Sequence, residues 1–287
     1  MTTKTAPGHT RMTVHRQQFS VPYEFPVYFT DNLFDPANES LVEAMCRLEP
    51  DKRHRCLFFI DGGLIQARPE VIEDIKAYTA HHARNLDLVT DPIAVPGGEI
   101  IKSNMHFVET IQQALFDHHI DRHSYVLAIG GGAVLDAVGL VAATAHRGVR
   151  HIRIPTTVLA QSDSGVGVKN GVNLYGVKNY VGTFAPPFAV LNDIEFVTCL
   201  GARDKIAGMA ESVKVALIRN AEFFVWLERN ADALAIFERD SMATMIPRCA
   251  ELDMHQFVNC LHSLEMFSPP PFVDGVWSSH NVACPTH

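Results

Sequence analysis

Between about Pro22 and Glu195 the chain alternates short apolar runs with helical patterns. Residues 56–61 (CLFFID), 86–90 (LDLVT), 125–129 (YVLAI) and 151–155 (HIRIP) are short and rich in aliphatic side chains. They read as strands, several of them buried on both faces. Between them, residues 69–83 and 104–118 carry helical periodicity, and in the second Met105, Val108, Ile111 and Leu115 share one face. Strands alternating with helices predict a parallel sheet with helices packed on it, an α/β unit whose ligands bind at the carboxyl ends of the strands.

After about Phe196 the pattern changes. Residues 203–219, 221–238 and 241–255 are long helical patterns with no clear strand between them, so a second, all-helical domain is expected. The predicted division is residues 1–195 for the α/β domain, 196–256 for the helical domain and 257–287 for a tail. The tail loses helical periodicity and contains SPPPF, which predicts irregular backbone.

Composition narrows the class. The 287 residues are 47% hydrophobic and 20% charged, with a formal net charge of -8. That is an ordinary globular balance, and its sign argues against nucleic acid as a partner, because neutralising phosphates needs a basic face. The six cysteines include no CxxC pair and no zinc-ribbon spacing, which fits reduced thiols in a cytoplasmic protein. Residues 1–19 lack an apolar signal core, and no uninterrupted apolar stretch of about 18 residues occurs, so no membrane span is expected.

Three constellations carry chemistry. First, the strand 125–129 runs into Gly130, Gly131 and Gly132 and then a helix rich in small residues, with Asp136 inside it. Glycines there let backbone approach a ligand, and the helix N-terminus offers free N–H groups to a diphosphate. The spacing is not GxGxxG, so a tight turn without a ligand stays open; an aspartate in an apolar helix calls for a partner. Second, residues 154–173 gather Thr156, Thr157, Ser162, Asp163, Ser164 and Lys169 in one loop with Gly165 and Gly167. Such a loop suits a polyhydroxylated or phosphorylated ligand, or is a solvated turn. Third, Glu211 and Lys214 lie three apart on one helical face, where a surface ion pair is the plain alternative.

The segments VPGGEIIKSN (95–104), AIGGGAVLDAVGLVAATAHRGVRHIRIPTTVLAQSDSGVGVKNGVNLYGVKNYVGTF (128–184) and RDKIAGMAESVKVALI (203–218), in that order, closely resemble 3-dehydroquinate synthase and the related sugar phosphate cyclases. The resemblance implies a Rossmann-like domain followed by a helical domain, NAD and a divalent zinc or cobalt as cofactors, a sugar phosphate substrate and a homodimer. It implies that Asp61 sits near the adenosine ribose, that Glu99 and Lys102 lie along the nucleotide, and that Gly130, Gly131, Gly132 and Asp136 hold the diphosphate and nicotinamide ribose. Thr156 and Thr157 complete that site. Arg147, Asp163, Lys169, Lys178, Asn179 and Lys214 are implied to line the substrate pocket or its border with NAD, and Glu211 to be the first metal ligand. In that family NAD oxidises one carbinol transiently, phosphate is eliminated, the ketone is reduced again and an aldol step closes a carbocycle.

The chain also departs from the family. Val168 replaces the second glycine of GGK, Gly165 a serine, and Cys199 a threonine that helps hold NAD. The histidine motif that supplies the other two metal ligands is not present; His255, His262, His280 and His287 follow Glu211 without its spacing. These departures mark a divergent member. They leave open a nucleotide-binding protein without the metal site, and also a metal-dependent polyol or alcohol dehydrogenase, although DAVGL lacks the lysine such enzymes carry after the aspartate.

Overall fold

The computed structural model describes residues 14–19 and 21–262. Its centre is an all-parallel sheet of seven strands: β1 (Val27–Thr30), β2 (His54–Asp61), β3 (Leu86–Leu88), β4 (Ile93–Val95), β5 (Tyr125–Gly130), β6 (Arg150–Pro155) and β9 (Ala189–Asp193). Six lie in the order β1-β9-β6-β5-β2-β3, and β4 pairs with the far end of β2. The alternation along β2 explains the layering. Phe58 and Ile60 point to one face, with Leu41, Met45, Val71, Ile75 and Tyr78 from α1 (Ser40–Cys46) and α3 (Val71–His81). Leu57 and Phe59 point to the other, with Val108, Ile111, Val134 and Val138 from α5 (Met105–Asp117) and α6 (Gly132–Thr144). Both faces are covered, as an all-parallel sheet requires.

The sequence reads residues 154–173 as one loop, but the structure divides it. A π-helical turn spans Ala160–Ser164, and a two-stranded antiparallel ribbon follows, β7 (Lys169–Leu174) with β8 (Val177–Phe184). Tyr175 and Gly176 between them both adopt positive φ, 53° and 76°, the geometry of a tight two-residue hairpin turn. The inner strand β7 packs on α6, so the ribbon stands beside the glycine turn.

Helices α7 (Ile194–Thr198), α8 (Ala202–Arg219), α9 (Ala221–Arg229), α10 (Ala231–Ala235) and α11 (Arg239–His262) follow, with no strand between them. Val215, Phe223, Leu227, Met245, Ile246 and Cys249 form their core, joined to the α/β part through Val158 and Ile194. Two expectations are corrected here. The pattern at 221–238 is broken at Asn230, whose side chain bonds back to the Trp226 carbonyl. The helix α11 continues to His262, beyond the point where the periodicity fades; residues 263–287, with His280 and His287, lie outside the described residues. Among the described residues no helix is long and apolar enough to cross a membrane.

Candidate functional site

The turn after β5 is tight for reasons that each glycine shows separately. A Cβ on Gly131 would come within 3.2 Å of the Thr157 methyl, and one on Gly132 within 2.6 Å of the Ser164 hydroxyl. The backbone of Thr156 donates to the Gly130 carbonyl at 3.0 Å. The turn is thereby pressed against the segment after β6, and Thr157 Oγ1 accepts from Ala160 N to start the π-helical turn. Gly131 is the N-cap of α6 and, having no side chain, leaves the first amides of that helix without a side-chain acceptor. Free amides and the positive end of the dipole together make an anion cradle.

A charged network is centred on the buried Lys102. Lys102 Nζ donates to Asp136 Oδ2 at 2.6 Å and to Asn179 Oδ1 at 2.5 Å. Burial raises the Asp136 carboxyl above its ordinary value, and Lys102 opposes that rise. Asn179 is held in turn: its N–H donates to Asn173 Oδ1, and Asn173 Nδ2 donates to Glu99 Oε2. Burial would raise Glu99, but the Asn173 amide and then Lys102 and Lys178 bring it below its usual range. The Lys178 ammonium is 3.5 Å from Glu99 and largely exposed. Asp61, at the carboxyl end of β2, caps α2 (Gly62–Ala67) by accepting from Gly63 N. Gly97 leaves room for that carboxylate, since a Cβ there would lie 2.2 Å from Oδ1.

The structure therefore joins Glu99, Lys102, Asp136, Lys178 and Asn179 in one network, and sets Thr156 and Thr157 against the turn of Gly130 to Gly132. Arg147 does not join them. It follows the C-terminal end of α6, about 20 Å from the cradle at 1.5 Å per helical residue.

On the helical side, Lys214 forms an ion pair with Glu211. Asp253 of α11, which the sequence reading missed, is buried with Oδ2 unpartnered. Burial, followed by the charges of Asp163 and Glu211, pushes its carboxyl up to about 7. Three carboxylates thus converge from the π-helical turn, α8 and α11. Among the described residues, however, no group of three His, Cys, Asp or Glu side chains is arranged to hold a metal ion. Among the described residues no complete donor set for zinc or cobalt is present, and no step through a metal is assigned.

Residues 92–207 match the family of 3-dehydroquinate synthase N-terminal domains. The fold is similar to that of ValA, a 2-epi-5-epi-valiolone synthase from Streptomyces hygroscopicus subsp. jinggangensis solved with NAD+ and Zn2+ bound. The TM-score is 0.74 and the identity 29%, over 88% of this chain and 66% of that one. A 2-deoxy-scyllo-inosose synthase complexed with carbaglucose-6-phosphate, NAD+ and Co2+ matches at TM-score 0.62 and 26% identity, over 80% of this chain and 59% of that one. An iron-containing alcohol dehydrogenase from Thermotoga maritima, at 14% identity and TM-score 0.57, shares the fold. The chain spans less than two thirds of the length of either cyclase.

Proposed function

We propose, from this chain's standing as a divergent member of the 3-dehydroquinate synthase-like family, that it binds NAD across the Gly130 to Gly132 turn and acts on a sugar phosphate as a cyclase, a carbon–oxygen lyase acting on phosphate. The observation that carries this reading is the network of buried Lys102 with Asp136 and Asn179, joined to a helix whose N-terminus has no side-chain cap. The residues present suit the cofactor: free α6 amides for the diphosphate, and the Asp61 and Asp136 carboxylates as acceptors for ribose hydroxyls. When bound, NAD supplies a reversible hydride acceptor for one carbinol carbon. Lys102 opposes the rise that burial gives the Asp136 carboxyl. Lys169 and Lys178, both exposed, present ammonium groups to a phosphate.

A second reading rests on the Glu211–Lys214 ion pair and on the incomplete metal donor set among the described residues: a chain that keeps nucleotide binding without metal-dependent turnover. Elemental analysis of the purified chain beside Glu211→Ala separates the two. Stoichiometric zinc or cobalt that disappears in the variant supports the cyclase; NAD binding with no metal supports the second reading. A cytoplasmic homodimer belongs to the same proposal, and analytical ultracentrifugation tests its oligomeric part.

A further inference from the structure

Arg153, in the middle of β6, has no exposed surface and is the largest fully buried side chain among the described residues. Four of its five hydrogen bonds go to backbone carbonyls, while Nε is left without a partner. Nη1 donates to the carbonyls of Gly167 at 2.7 Å, Gly165 at 3.1 Å and Ser164 at 3.5 Å, and Nη2 to Lys169 O at 2.8 Å and Asn170 Oδ1 at 2.7 Å. Asn170 carries the connection onward, its Nδ2 donating to Ala185 O at 3.1 Å, just past β8. The same amide fits against α6 only because residue 139 is glycine; a Cβ there would stand 2.0 Å from Asn170 Oδ1.

A buried cation is costly, and an apolar side chain would fill the same space without that cost. What an apolar residue cannot do is hold the carbonyls of a glycine-containing turn. Burial lowers the Arg153 pKa to about 10, so the group stays charged at neutral pH. A fork of donors in a fixed plane fits several carbonyls at once, and lysine has no such fork.

We propose that Arg153 is the positioning residue of the substrate loop: it fixes the backbone of residues 164–170 so that Asp163 and Lys169 are presented to the ligand, and through Asn170 it ties that loop to the end of the β8 ribbon. The part concerning ligand rests on the sugar phosphate reading above; the anchoring itself does not.

The test uses the full chain as Arg153→Lys, with amide hydrogen exchange followed by peptide and with titrations of NAD and then of carbaglucose-6-phosphate in the presence of NAD. Exchange in residues 164–170 is expected to rise about tenfold or more, as for loss of one charge-assisted hydrogen bond. Protection of β5 and NAD affinity are expected to hold, while affinity for the sugar phosphate analogue falls by a similar factor. A folded variant with unchanged exchange at 164–170 overturns the anchor, and equal losses of NAD and analogue affinity overturn the specific role. Should the wild-type chain bind no sugar phosphate, the functional reading fails while the exchange result still decides the anchor. Asn170→Ser is the companion variant for the case in which Arg153→Lys does not fold: faster exchange is expected at both 164–170 and 183–186, and no change at either overturns the tie.

Discussion

Single residues here explain more than their types announce. Lys102 is nearly fully buried and has two partners, Asp136 and Asn179. Removing one member of a buried pair leaves the other uncompensated, which costs about 3 kcal/mol or more. Lys102→Met should show that loss in urea unfolding, and Lys102→Met with Asp136→Leu should recover most of it. His151, buried with Nε2 unpartnered, has its pKa lowered well below the usual histidine value by burial first and by Arg153 second. The unfolded chain therefore takes up a proton below about pH 6.5 that the folded chain refuses. The stability tied to His151 is full above that pH and lost as the pH falls through it. Between pH 6.5 and 5 the unfolding free energy should fall more steeply for wild type than for His151→Leu, by up to about 1.4 kcal/mol per pH unit. Equal slopes would show that His151 is not held neutral.

At the scale of elements, the sequence made the strand-turn-helix unit of β5 and α6 legible, because an all-apolar run ending in three glycines has few other uses. Asp136 asked for a partner on grounds of cost alone, and Lys102 is that partner. The β7 and β8 ribbon was not legible. Gly171 and Gly182, which face each other across it, and the outward exposure of β8 erase the alternation that marks a half-buried strand. Arg153 did leave a signal, a charge between two isoleucines in a strand, but its partners are carbonyls and carbonyls carry no sequence. The contact of α6 with β7 gives the sharpest element-level prediction. Gly139→Ala forces a methyl onto an amide oxygen that Arg153 already holds, and such overpacking costs about 1 to 3 kcal/mol. Denaturant unfolding measures it, and a neutral result would show that the two elements separate easily.

The whole molecule brings together what no local pattern could. Asp163, Glu211 and Asp253 come from segments far apart in sequence and meet where α8 and α11 pack on the π-helical turn. Asp253 was missed because a lone aspartate in a helix looks like a solvated one until the packing is known. The convergent reading is an NAD cradle at the carboxyl ends of the parallel strands, with a sugar phosphate loop beside it. Binding to the folded state alone should raise stability by about 2.7 kcal/mol at a hundredfold excess over Kd. The most direct measurement is a calorimetric titration of NAD into the full chain and into Gly131→Val, whose branched side chain would occupy the cradle against Thr157. The account predicts one saturable site per chain that the variant loses while still unfolding cooperatively; no binding by the wild type, or equal binding by the variant, would contradict it.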